Sequence, residues 1–368
     1  MCDSAARNTP AQASAAQTAA RTSGPGATGP DAAPPPGAAT PADASAADAS
    51  PADVSPADAS PAAERPVVPE PYLTELAAGV HAFIQPDGGW CLNNAGFVTD
   101  GDATLVVDTA ATERRARLLR RRIAESGAPA PRMVVNTHHH GDHTYGNGVF
   151  APEATVIGHA SCRRELLAAG QQLHAVWPQV DYGDIRLTAP EITYTDELAL
   201  HVGDIEVRLI HPGVAHTTGD TLVWLPRQRI VFAGDLVFHG GTPFVFMGSL
   251  AGSLRALELL RTLDAVTVVP GHGPVTGPEV YDGIERYLRF VGRLAQEGRA
   301  AGRTPLEVAR EADLGPFAEL AESERLVANL HRAYAELAGV APGAPLDLVA
   351  GFGDMTVMNG GVPMACHA

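Results

Sequence analysis

The chain has 368 residues, 45% of them hydrophobic, and a formal net charge of −16. That is enough apolar material for one large core or two small ones, and the acidic balance argues against a nucleic-acid partner, whose phosphates need a basic surface. All 26 basic residues are arginine, so Schiff-base and phosphate-loop lysine chemistry are excluded as well.

Residues 1–66 contain no Leu, Ile, Phe, Tyr or Trp, and Pro41 to Ser60 repeat a five-residue unit, PADAS AADAS PADVS PADAS. A segment with nothing large to bury cannot offset its ordering entropy, so a disordered Ala/Pro/Ser/Asp-rich tail is predicted there. No basic stretch followed by an apolar one is visible, and nowhere do eighteen or so apolar residues run together. The expectation is a cytoplasmic protein with no membrane contact. Cysteines at 2, 91, 162 and 366 show no CxxC spacing, which implies neither a disulfide framework nor a thiolate zinc site.

From Tyr72 the segments YLTEL, VHAFIQ, NNAGFVTD and ATLVVD read as short strands separated by turns, the last ending at Asp108. An amphipathic helix is predicted from Thr112 to Ser126, with Leu118, Leu119 and Ile123 on one face, and the strand RMVVN follows. The arginines of Arg114 to Arg122 read as its solvated face. A strand, a helix and a strand joined by short loops make a βαβ unit, so whatever follows RMVVN lies at the carboxyl end of a buried strand, where α/β folds put their sites. The strand ATVIGH, a helix near Arg163 to Ala169, an irregular stretch holding Trp177 and Tyr182, and two strands around Gly203 come next. TLVWLPRQRIVFAGD reads as a hairpin turning at Pro226 to Arg229 and ending at Asp235. A helix over 250–263, the strand AVTVVPGHG, and helices over 278–299, 306–312 and 317–337 complete the pattern. Mixed strands in two groups with helices between them predict an α+β fold, an αββα sandwich of two mixed sheets with helices outside.

The stretch THHHGDHTYGN, Thr137 to Asn147, follows RMVVN directly. His138 and His140 are two apart and can face one side, which turns His139 to the other. Asp142 and His143 come after Gly141, whose freedom lets the chain turn tightly. Imidazoles and carboxylates converging from strand ends are what zinc and its neighbours bind. A histidine run alone is weak evidence, but His216 in HPGVAHTTGD, Asp235 in VFAGD and His272 in VVPGHGP each flank a β-run and a glycine, where a polar side chain meets a cleft.

HxHxDH, a histidine before TTGD, then AGD, then PGHG resembles the metallo-β-lactamase fold superfamily in its glyoxalase II-like hydrolase branch, over about Tyr72 to Thr276. The resemblance implies His138, His140 and His216 on a first metal, Asp142, His143 and His272 on a second, and Asp235 bridging them. It implies that Asp108 supports the ligand loop without touching metal. Residues 67–368 then form the catalytic domain, with 302–368 a helical C-terminal extension and tail. Two zinc ions are expected, with iron or manganese left open.

The implied activity is a dinuclear metal-dependent hydrolase of a small molecule, in which a metal-bound hydroxide attacks the carbonyl of an ester, thioester, lactone or amide. Asp142 and Asp235 are the catalytic candidates, Asp142 as a proton carrier. The alternative is a mononuclear iron persulfide dioxygenase-like oxidoreductase, using His138, His216 and Asp235. Departures from the pattern count against particular branches: glutathione-thioester hydrolases hold their substrate with lysines, which this chain lacks, and lactonases carry a tyrosine where it reads DLVFHGG. Trp90, Tyr145, His239 and Phe244 are the substrate-contact candidates. The apolar, glycine-rich ending FGDMTVMNGGVPMACHA is expected to pack back on the domain, over the cleft. The assembly is left open, a homodimer included.

Overall fold

The computed structural model describes residues 69–368 except Pro152; the predicted tail over 1–66 lies outside the described residues. Chain order is β1 (Tyr72–Ala77), β2 (Val80–Ile84), β3 (Ala95–Asp100), β4 (Ala103–Val107), α1 (Glu113–Glu125), β5 (Met133–Val135), α2 (Gly141–Thr144), α3 (Asn147–Phe150), β6 (Thr155–His159), α4 (Ala160–Ala169), α5 (Leu173–Val176) and β7 (Ile192–Tyr194). A second half follows with β8 (Glu197–Val202), β9 (Ile205–Ile210), β10 (Leu222–Leu225), β11 (Ile230–Phe238), α6 (Leu250–Thr262), β12 (Thr267–His272), α7 (Val280–Ala300), α8 (Pro305–Glu311), α9 (Arg325–Leu337) and α10 (Leu348–Met358).

Strands β1 to β7 form one sheet in sequence order, antiparallel up to β4 and parallel beyond it. The second sheet runs β12-β11-β10-β9-β8, parallel only between β11 and β12. Alternation along the strands divides their side chains between layers. Val80, Ala82 and Ile84 of β2, and Leu105 and Val107 of β4, meet Val207, Leu209, Val223 and Phe232 of the other sheet. The intervening Phe83, Val106 and Val134 face outward instead and pack with Leu119 and Ile123 of α1. On the far side, Val231 and Ala233 of β11 pack with α6, α7 and α9. The result is the αββα sandwich expected from the strand pattern.

Helix α1 begins where Thr112 accepts from the Arg115 amide and stops at Ser126, the boundaries the sequence suggests. Its arginines are not all solvated, however: Arg115 is buried and donates to Gln85 Oε1 (2.7 Å) and to the His367 carbonyl (2.8 Å). The single helix expected over 317–337 is instead a 3-10 turn at Gly315–Phe317 and the separate α9. Between them Ala321 exchanges backbone bonds with Gly240 (3.0 Å) and Thr242 (2.9 Å), a tertiary pairing that leaves no partners for helix. β11 runs on through Asp235 to Phe238, pairing with β12 at Gly234 and again at Phe238 across a register shift. The ending packs back as anticipated, as α10 and a tail whose Met364 carbonyl accepts from Trp177 Nε1 (2.8 Å). No helix among the described residues is long and apolar enough to cross a membrane.

Candidate metal centre

Asp108 follows β4 with φ +56, in the left-handed region that non-glycine residues seldom adopt. That turn lets one carboxylate accept from the Thr137 amide (2.7 Å), the Thr137 hydroxyl (2.6 Å) and His143 Nδ1 (2.8 Å). It thereby fixes both ends of the histidine loop. Gly141 has no positive φ; glycine is needed because a Cβ there would sit 2.6 Å from the Tyr145 ring. The close approach, rather than backbone freedom, is what shapes this turn. Gly271 on β12 lies so close to Asp235 that a Cβ would meet its Oδ1 at 1.9 Å.

Two groups of donors result. His138, His140, His216 and Asp235 offer ligand atoms within 4.8 Å of one another, and so do Asp142, His143 and His272. In the first group His140 Nδ1 lies 3.1 Å from His138 Nε2 and 3.0 Å from His216 Nε2. The far nitrogens of the latter two are engaged, His138 Nδ1 with the Thr137 hydroxyl (3.1 Å) and His216 Nδ1 with the Phe244 carbonyl (2.6 Å). Their tautomers are thereby set so that lone pairs face inward. Asp235 reaches both groups: Oδ2 is 3.4 Å from His216 Nε2 and 3.5 Å from His272 Nε2, and Oδ1 is 3.1 Å from His143 Nε2. Asp142 Oδ2 is 3.4 Å from His272 Nε2.

The electrostatics divide the same way. Burial holds the His138 and His140 imidazoles well below the ordinary histidine range, reinforced by His143 for the first and by His139 and His216 for the second, and His216 is also lowered by burial. Three neutral imidazoles result. Around His143 and His272 burial also opposes charge, but the carboxylates win: Asp235, Asp108 and Asp142 hold His143 well above its usual range, and Asp235 with Asp142 pushes His272 up to about 9. Burial likewise opposes the charge on Asp235, yet His272, His143 and His216 hold its carboxyl well below the usual carboxylate range. The carboxylates therefore demand positive charge within the cluster. His143 Nε2 and Asp235 Oδ1 are buried without a hydrogen bond. Orphaned donor atoms that converge on a common point fit metal ions.

His139 lies apart from both groups. It is buried with Nδ1 3.2 Å from Glu165 Oε2, and its pKa is pushed down to about 3 by burial and then by His216.

The cleft before the donors is small, about 60 Å³, and is lined by Trp90, Cys91, Leu173, Trp177, Phe238, Phe244, Met247, Arg325 and Phe352 beside His140, Asp142, Asp235 and His272. Trp90 and Phe244 therefore border the donors. Tyr145 does not: its hydroxyl accepts from the Leu173 amide (3.1 Å) and its ring packs on Tyr182 and His174 behind the histidine loop. His239 does not either: its Nδ1 engages the Pro274 carbonyl (3.0 Å) and it lines a separate surface cavity of about 410 Å³. Trp177, from the irregular stretch before His216, and Phe352, from the ending expected over the cleft, line it too, whereas Arg325 is a cleft residue that patterning misses, since only the fold brings it there. Arg325 also brings a cation to the cleft; its guanidinium lies 4.0 Å above the Trp90 ring.

The family model described as "Metallo-beta-lactamase superfamily" matches residues 88–272. The chain belongs to this superfamily. It is similar to the 2,4-dinitroanisole O-demethylase subunit alpha of Nocardioides sp. (strain JS1661), 28% identical over 50% of this chain and 54% of that one. It is also similar to the hydroxyacylglutathione hydrolase of Methylococcus capsulatus, 32% identical over 37% of this chain and 45% of that one. The chain thus spans about half the length of these two relatives. The crystal structure of the DIM-1 metallo-beta-lactamase superposes with a TM-score of 0.50 at 23% identity, covering 61% of this chain and 99% of that one. That likeness concerns the fold. Hydrolases of this superfamily are among the chain's relatives, and its His/Asp clusters suit metal binding.

Proposed function

We propose that this protein is a dinuclear metal-dependent hydrolase that cleaves an ester, thioester, lactone or amide of a compact small molecule. The observation that carries the reading is the position of Asp235, whose two oxygens address two separate donor groups. His138, His140 and His216 would hold one ion, Asp142, His143 and His272 the other, with Asp235 common to both. Nitrogen and oxygen donors with no thiolate are compatible with zinc. Two such ions, when bound, lower the pKa of a water towards neutrality and polarise a carbonyl oxygen.

The chain's own groups do the rest. Asp142 is more exposed than Asp235, 13% against 5% for the side chains, and faces the cleft, so it is placed to move a proton between substrate and solvent. Trp90, Trp177, Phe244 and Phe352 exclude water and hold an apolar group against the donors. The relatives named for hydroxyacylglutathione hydrolysis support a thioester-type reaction, although this chain lacks lysines to hold a glutathione. The complete second donor group favours hydrolysis over the one-iron dioxygenase chemistry.

The test is metal quantification on purified protein, followed by thioester, lactone, lactam and aryl-ester substrates, with 2,4-dinitroanisole added because of the relative named for it. About two zinc equivalents and turnover of at least one carbonyl substrate are expected. His140→Ala should lose metal and lower kcat by at least about a hundredfold, since ligand-shell changes cost 10–100-fold or more, whereas His139→Ala should keep both equivalents. A single iron with persulfide-dependent oxygen uptake, or two zincs with none of the carbonyl substrates turned over, refutes the hydrolase reading.

A further inference from the structure

His272, the last donor in the chain, is oriented by a loop that belongs to no strand or helix. Its Nδ1 donates to the carbonyls of Gly88 (3.1 Å) and Gly89 (3.2 Å), which turns Nε2 towards Asp142 and Asp235. Gly88 also packs on Gly273 so closely that a Cβ would lie 2.4 Å from the Gly273 amide. The loop's geometry and the histidine's are therefore one problem.

The loop is held from the C-terminal extension, beyond the matched family region. The Trp90 amide donates to the Glu322 carboxylate, and the Trp90 indole Nε1 to Glu324 Oε1 (2.9 Å). Glu322 is itself fixed. Its φ is +60, a left-handed conformation unusual for glutamate. The preceding Ala321 is bonded on both sides to Gly240 and Thr242, just past the end of β11. Its carboxylate pairs with Arg325, whose Nη1 donates to the Thr242 carbonyl (2.9 Å). A half-buried acid in an unusual backbone conformation, tied to the strand that carries Asp235, is an arrangement expected where position matters.

We propose that Glu322 is a positioning residue for His272, acting through the Trp90 amide and the Gly88 and Gly89 carbonyls, so that the C-terminal extension sets the affinity of the second donor group for its metal. This rests on the dinuclear reading above. The role is indirect: Glu322 touches no donor atom of the cluster.

The test titrates the chelator-stripped full-length protein with Zn²⁺ in competition with a chromophoric chelator. Glu322→Gly suits the left-handed backbone and removes the carboxylate together with the rest of the side chain. It should leave the first equivalent unchanged and weaken the second about 10–100-fold, the usual effect of losing a group that orients a ligand. Glu322→Gln keeps an oxygen that accepts from Trp90 and should bind both equivalents nearly as the wild type does. If the glycine variant does not fold, Glu322→Met, of similar length and without the carboxylate, takes its place with the same expectation. A second equivalent bound as tightly as in the wild type, equal weakening of both equivalents, or equal losses in the Gln and Gly variants overturns the proposal. A wild-type protein that binds fewer than two equivalents overturns the dinuclear reading instead.

Discussion

At the scale of single residues, His139 and His140 are adjacent in sequence and opposite in surroundings. The odd–even alternation of an opening strand separates them, which is why the sequence alone could set His139 apart. What alternation could not supply was its partner, Glu165, which comes from α4. A buried neutral imidazole has a thermodynamic signature. His139 titrates at about 3 in the folded protein against 6.5 in the unfolded chain, so below 6.5 the unfolded chain takes up the extra proton. The stability this residue contributes is complete above 6.5 and is lost progressively as pH falls towards 3, at up to about 1.4 kcal/mol per pH unit. In metal-free protein, His139→Asn should flatten the acid limb of the stability profile between pH 6 and 4 by about one proton. Urea melts across that range test this, and an unchanged slope would falsify it. Tyr145 shows the opposite case: two residues past His143, it is carried behind the ligand loop by the short helix α2, and a spacing rule has no means of knowing which side a helical turn presents.

At the scale of elements, strands were legible and the C-terminal helices only partly so. Continuous apolar runs mark β2, β4 and β11 because both faces of each are buried, against different neighbours, whereas alternation marks β8 and β9. β7 has no such mark; two of its three residues are exposed and it pairs only at the edge of its sheet. The break before α9 is a tertiary event, the pairing of Ala321 with 240–242, and helical periodicity is blind to it. Of the residues of α10 only Gly351 and Met355 are buried, Met355 fully. Met355→Ala should cost about 2–5 kcal/mol of the helix's docking. Hydrogen exchange would then show faster exchange over 348–358 and little change in β10–β12; uniform acceleration everywhere, or none, would contradict local docking.

At the scale of the whole molecule, the donors straddle the two sheets. His138 to His143 come from the loop after β5 of the first sheet and the short helix α2 that follows it, while Asp235 and His272 lie on β11 and β12 of the second sheet and His216 on its β9–β10 connection. The order of the motifs made this superfamily's fold legible. The cleft walls were legible only in part: Trp90 and Phe244 could be named, whereas Arg325, and its meeting with Trp177 and Phe352, exist only once the sandwich and its extension are assembled. Ions held between the sheets would stabilise the folded state by mass action, by about 2.7 kcal/mol at a hundred times the dissociation constant. Chelation should therefore lower the melting temperature by several degrees, at about 2–4 °C per kcal/mol for large domains, and added metal should restore it. An unchanged midpoint after verified metal removal would show that the sheets do not need the ions.

The donors also have an order along the chain. Everything in the first group is present once synthesis has passed Asp235, whereas the second group waits for His272 at the end of β12. During synthesis the two groups thus become competent at different moments, and the second only after the parallel β11–β12 pairing can form. On the dinuclear reading proposed above, metal stoichiometry would then double as a record of completion, because a chain arrested or misregistered before β12 lacks the His272 position of the second group.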